Sequence, residues 1–255
     1  MLERIASISE GARVRLAIGS AREGDAAEAT AARAVGSGLG PVTVLRDPSS
    51  LVGALLEGRV DAAVRGTLPS KDTLPPLMEA CGSRSPMRAA LMASGGHGDF
   101  LLAPVGIDEG RDMAERWSLL RAAAALLGSL GETPRVAVMS RGRPEDVGRG
   151  EAIAQSHRDC ETLRASAEAE GMLAECVGIQ LERAVCGHNL VLAPDGVTGN
   201  LVFRSLHLVA GHDSWGAVAL GVLPRVFVDA SREKTDYLGC LHLARALVAI
   251  SEDGD

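Results

Sequence analysis

Rings are scarce in this chain. Only six side chains are aromatic, Phe100, Trp117, Phe203, Trp215, Phe227 and Tyr237, a 2% share of 255 residues. So few cannot build a base-stacking platform, which argues against a single-stranded nucleic-acid binder. Lysine occurs only at 71 and 234, and the formal charge is −7. An acidic chain gains affinity for a phosphate backbone only where basic residues cluster, and none do here, so nucleic acid is not an expected partner. Cysteine is sparse too: positions 81, 160, 176, 186 and 240, nowhere spaced as CxxC. That spacing argues against a disulfide framework and a structural zinc site, and fits a reducing cytoplasm. No apolar run reaches the ~18 residues of a membrane helix. The opening MLERIASISE lacks the apolar stretch and cleavage site of a signal peptide. The expectation is a cytoplasmic protein with no membrane partner.

What is present is an ordinary globular composition, 46% hydrophobic and 23% charged, with a repeated alternation. Short apolar strands are predicted at Val14 to Ile18, Pro41 to Leu45 and Val60 to Val64. Helices are predicted at Asp25 to Ala34 and Leu51 to Leu56. A Pro-interrupted segment (Pro69, Pro75, Pro76) leads to strands at Met87 to Ser94 and Phe100 to Pro104, joined by the polar turn Gly95 to Asp99. The longest helix is predicted over Arg111 to Leu130, with Gly131 just past its end. The alternation restarts with a strand at Arg135 to Ser140 and a helix over Glu151 to Gly171. A strand at Leu190 to Ala193 runs into the turn at Pro194, and a helix covers Leu201 to Val209. Strands at Ala217 to Leu220 and Arg225 to Val228 precede a terminal helix, Asp236 to Ile250. The pattern predicts an α/β protein of two domains with mostly parallel sheets, residues 1–131 plus 233–255 and residues 132–232, with a cleft between the domains.

Ligands of open α/β sheets bind at the carboxyl ends of strands. Five predicted strands end in small or polar residues: Gly19-Ser20, Arg65-Gly66-Thr67, Ser140-Arg141, Pro194-Asp195 and Asp229-Ala-Ser-Arg232. Turn chemistry alone accounts for any one of them. Arg65, Arg141 and Arg232 together point to a phosphate or carboxylate site, because turns do not require arginine. The loop Gly19 to Gly24 is neither GxGxxG nor a P-loop. The six histidines, 97, 157, 188, 207, 212 and 242, fall in no metal-ligand spacing, so no metal is assigned. His97, in its glycine-rich loop, is the one to watch. No GxSxG elbow is present.

The order of these motifs resembles the phosphate acetyl- and butyryltransferases. The matching stretches are Asp61 to Leu74, which contains Arg65-Gly-Thr67; Val136-Ala-Val-Met-Ser140; Pro194-Asp-Gly-Val-Thr-Gly-Asn200; and Asp229-Ala-Ser-Arg232. The family has Ser where this chain has Arg65, and Leu-Arg-Pro where it has Leu74-Pro75-Pro76. In length and in these substitutions the chain is most similar to the divergent methyltransferase-related branch of methanogenic archaea, the mtx subunit X or methanogenesis marker proteins. The resemblance implies a phosphotransacetylase-like, isopropylmalate dehydrogenase-like fold, a homodimer, and corrinoid-dependent methyltransferase subunits as partners.

Two functions follow from the resemblance. One is a transferase whose substrate carries a phosphate, acyl phosphate or coenzyme A-like group. Arg232 and Arg65 would hold the anion with Gly66, Ser140, Arg141 and Asp195, while Gly199 and Asn200 form the opposite wall. Ser231 would hydrogen-bond a reacting oxygen, and Asp236 would be either a general base or the cap of the last helix. The other is a non-catalytic subunit that binds a partner or effector. A nicotinamide-dependent dehydrogenase is less favoured, since its metal needs clustered Asp residues that the sequence lacks.

Overall fold

A computed structural model describes residues 1–252 apart from Arg84, Ser94, Gly95 and His97. The loop histidine singled out above thus lies outside the described residues. In chain order the first elements are α1 (Leu2–Ser9), β1 (Leu16–Gly19), α2 (Ala26–Ala34), β2 (Val42–Leu45), α3 (Pro48–Leu56), β3 (Ala62–Val64) and α4 (Ser70–Ala80). There follow β4 (Arg88–Ala93), β5 (Asp99–Ala103), α5 (Met113–Ser129), β6 (Arg135–Met139), α6 (Glu151–Ala169), β7 (Leu173–Gly178), α7 (Leu181–Ala184), β8 (Leu190–Leu192) and α8 (Gly196–Arg204). The last are β9 (Ser214–Ala219), β10 (Val226–Asp229) and α9 (Leu238–Glu252). No helix among the described residues is long and apolar enough to cross a membrane.

The chain forms two compact units. One, the terminal unit, takes Leu2–Pro86 and Ser214–Asp255; the other, the middle unit, takes Met1 and Met87–Asp213. The crossings therefore fall near 86 and 213, not near 131 and 232 as the strand–helix pattern suggests. The reason is pairing. β5 pairs with β8 and β4 with β5, which draws both into the middle unit, while β10 pairs with β3, which returns it to the terminal one.

In the terminal unit the strand order is β2-β1-β3-β10-β9. The first four are parallel and β9 is antiparallel. Ile18 pairs with Val64, and Val64 with Val228, so Gly19, Arg65 and Asp229 follow at one sheet edge. Leu51, Leu55, Leu74, Leu77 and Phe227 pack into one core there. The apolar stretch from Trp215 to Leu223 belongs mainly to this interior: Val218, Leu220 and Val222 are buried. In the middle unit the order is β4-β5-β8-β6-β7. The β4–β5 pair is antiparallel and the other pairings are parallel.

Local chemistry explains most boundaries. The carboxylates of Asp25, Asp47, Asp112 and Asp195 cap α2, α3, α5 and α8 by accepting their first-turn amides. Gly131 takes φ +73° just past α5, where a side chain would be strained. The segment read as interrupted by proline is instead α4, with Pro75 and Pro76 inside it. Burial of Leu74 and Leu77 against the core overrides the two missing amides. One cysteine pair also departs from expectation: Cys160 of α6 and Cys176 of β7 form a disulfide, with Cα atoms 6.0 Å apart. Adjacency of a helix and an edge strand creates this pair, and spacing along the chain does not reveal it.

Candidate functional site

The site begins at the edge where β1, β3 and β10 end together. Asp25 organises it. Its carboxylate accepts the amides of Ala21, Arg22, Ala27 and Glu28 and the hydroxyls of Ser20 and Thr67. Burial raises the pKa of this carboxyl, but the hydrogen bonds from Thr67, Glu28, Ser20 and Arg22 outweigh it and hold the group below its ordinary 3.8. The loop after β1 thus directs its amides at the chain's own carboxylate, in the place where phosphate-binding loops hold an anion. Above Asp25 opens a cleft of about 320 Å³ lined by Arg22, Thr67, Arg232 and Glu233. Arg22 and Arg232 are exposed. Neither guanidinium makes an ion pair among the described residues.

Arg65 is not available to a ligand. It is buried, 5% exposed, and its guanidinium binds the Asp229 carboxylate and the carbonyls of Leu68 and Ala230. The sequence places it correctly at a strand end, but β3–β10 pairing sets an acid beside it. Gly66 is likewise structural. Its φ is +59°, and a Cβ there would overlap the carbonyl oxygen of Gly19. Ser231 is half-buried. Its hydroxyl donates to Glu233 at 2.6 Å, and its carbonyl accepts the buried Tyr237 hydroxyl at 3.0 Å. Asp236 lies two residues before the start of α9. Its carboxylate accepts the Leu238 amide at 2.9 Å and pairs with Arg33 at 3.2 Å. The sequence reading missed Arg22, Asp25, Thr67 and Glu233 as cleft residues. The only signal was that each lies within a few residues of a strand end.

The remaining expected residues lie in the middle unit, at the ends of β6 and β8. Ser140 is buried; its hydroxyl donates to the Gly142 carbonyl at 2.9 Å, with His157 Nε2 at 3.4 Å. Arg141 pairs with Asp195 at 3.1 Å. Burial raises the Asp195 carboxyl, but Thr198 and Arg141 hold it below 3.8. Gly199 and Asn200 sit within α8 and not at its mouth. A Cβ at Gly199 would overlap the Pro104 carbonyl, and the Asn200 amide donates to the Val105 carbonyl at 2.8 Å. Both serve packing of α8 against the loop after β5.

Relatives that match most of the chain come from Methanosarcina species. The "Putative methyltransferase mtx subunit X" of Methanosarcina acetivorans is 38% identical over 203 residues, covering 79% of this chain and 72% of its own length. Its namesake in Methanosarcina barkeri is 34% identical over 219 residues, 86% of this chain and 80% of that one. The chain belongs to the mtx subunit X family. No family model matches it. Among solved structures, the chain resembles a branched-chain phosphotransacylase from Enterococcus faecalis V583, with a TM-score of 0.72 at 13% identity over 92% of this chain and 99% of that one. It also resembles the EutD phosphotransacetylase from Staphylococcus aureus, with a TM-score of 0.65 at 14% identity over 97% of each chain. A 4-hydroxythreonine-4-phosphate dehydrogenase from Burkholderia phymatum aligns with a TM-score of 0.54 at 15% identity over 98% of this chain and 92% of that one. At such identities these neighbours establish the fold of the chain and nothing finer. Its four motif segments all fall at carboxyl ends of strands, those of β3, β6, β8 and β10.

Proposed function

We propose that this protein binds a small phosphate-bearing ligand, of the phosphate, acyl phosphate or coenzyme A-like class, in the cleft of its terminal unit, and transfers a group from it. The observation that carries the reading is the pair of exposed guanidinium groups, Arg22 and Arg232, on one cleft beside Thr67. Arg232 would neutralise charge developing on the transferred group, usually the largest single contribution to such catalysis. Ser231 would donate to the same group the hydrogen bond that it gives Glu233 in the structure. Asp236 serves the helix start.

Kinship with a methyltransferase subunit favours a second reading: a binding subunit that presents the same cleft to an effector and works with corrinoid-dependent methyltransferase subunits. A homodimer belongs to both readings. Light scattering should then give about twice the 26.4 kDa of the chain. Calorimetric titration of the full chain with phosphate, acetyl phosphate and coenzyme A tests the cleft. Arg232→Ala should weaken binding at least tenfold, and unchanged affinity would remove the site. Turnover of an acyl, phosphoryl or methyl donor, alone or with partner subunits, separates transferase from binding subunit.

A further inference from the structure

The middle unit holds a cavity that the proposed anion cleft does not use. Its volume is about 600 Å³, within the ~300–1,000 Å³ of small-molecule sites. It opens at the carboxyl ends of β5, β8, β6 and β7, which are parallel neighbours. That is the edge where open α/β sheets place ligands.

Its rim is unusual for a polar surface. Ile107, on the loop after β5, is 70% exposed; Ile179, directly after β7, 55%; Val197, in the first turn of α8, 53%. Singly exposed aliphatic residues are ordinary, but three from separate segments around one cavity mark a binding surface.

The polar groups narrow the ligand further. Glu109 lines the cavity, but its carboxylate already accepts the amides of Val105 and Gly106 and pairs with Arg88. Asp195 is engaged by Thr198 and Arg141. Arg141 is half exposed and meets Asp195 through Nη2 only. The rest of its planar fork has no partner among the described residues. An apolar rim with one open cationic fork fits a ligand that has an apolar body and one anionic end.

We propose that this cavity is a second ligand site, taking an amphipathic anion whose aliphatic or aromatic body rests on Ile107, Ile179 and Val197 and whose carboxylate, sulfonate or phosphate end meets Arg141. The lining residues all belong to the middle unit.

Two probes test it on the full chain: 8-anilinonaphthalene-1-sulfonate by fluorescence, and octanoate as its competitor. One saturable site per chain is expected, displaced by octanoate and much less by neutral octanol. Ile179→Ser combined with Val197→Ser should weaken both probes at least tenfold. Arg141→Gln should weaken octanoate about tenfold while leaving octanol unchanged. All three positions are exposed, so wild-type melting should accompany these losses, and phosphate affinity at the terminal cleft should not move. Methyl shifts on octanoate addition give a second readout, expected at Ile107, Ile179 and Val197. Absence of saturable binding, unchanged affinity in folded variants, or shifts confined to other methyls would overturn the proposal.

Discussion

Arg65 shows how a residue's chemistry depends on its neighbour across the sheet. Alone in the sequence it is a cation at a strand end, which suits an anion site. In the fold, β3 pairs with β10, and Asp229, 164 residues away in the chain, closes on it. Residue type and strand-end position are therefore readable from the sequence, but the partner that cancels the charge is not, because only long-range pairing supplies it. Arg232 escapes this fate, since it lies three residues past the end of β10 and stays in solvent. Removing Arg65 should be costly. Arg65→Met leaves the Asp229 carboxylate buried without its cation, a loss of about 3–5 kcal/mol by the measure of other broken buried pairs. Urea denaturation would show it, and a loss below about 1 kcal/mol would contradict the pairing. Arg65→Lys should fall between, keeping the charge but not the fork that also reaches Leu68 and Ala230.

At the scale of elements, the helices after the strands depend on caps more than on propensity. The sequence announces these directly: Asp25, Asp47 and Asp195 each stand where an apolar strand gives way to a helix. Elements lacking such punctuation are hidden. β7 interrupts its apolar run with Glu175 and Cys176 because it is an edge strand and only partly buried, so no clean alternation marks it. α4 is masked by two prolines that core burial tolerates. The cap with most consequence is Asp25, which ties together the start of α2, the loop after β1 and Thr67 beyond β3. Loss of an N-cap alone costs about 0.5–2 kcal/mol. Asp25→Ala should exceed the middle of that range because it also strands the Ser20 and Thr67 hydroxyls, and it should weaken phosphate binding with Arg22 and Arg232 intact. Asp47→Ala, at a cap of α3 that does not line the cleft, is the control: a stability loss of similar origin with phosphate affinity unchanged. Equal effects of the two on binding would mean that Asp25 does not shape the cleft.

For the molecule as a whole, two units with different buried ionisable groups should respond differently to acid. The carboxylates of Asp25 and Asp61 in the terminal unit, and of Asp159 and Asp195 in the middle unit, all lie below their ordinary 3.8 in the fold. A depressed carboxyl contributes stability that is complete above its unfolded pKa and is lost as pH falls through the folded one, so both units weaken below about pH 4. The terminal unit carries one further group. Burial, and then the charge of Arg245, push the His242 imidazole below its ordinary 6.5. Its ring accepts or donates to Ser9, 2.6 Å away, and stacks near Trp215, joining α9 to α1 and β9. The fold prefers this ring neutral, so its contribution is complete above pH 6.5 and declines as pH falls from there. Between pH 6.5 and about 4 the terminal unit should therefore lose hydrogen-exchange protection in α1 and α9, while β6 and β8 of the middle unit keep theirs. His242→Gln, which cannot take up a proton, should flatten that slope in the terminal unit and leave the common loss below pH 4 in place. Parallel loss of protection in both units across pH 6.5 to 4, or a slope that survives His242→Gln, would show that the difference between them does not originate at His242.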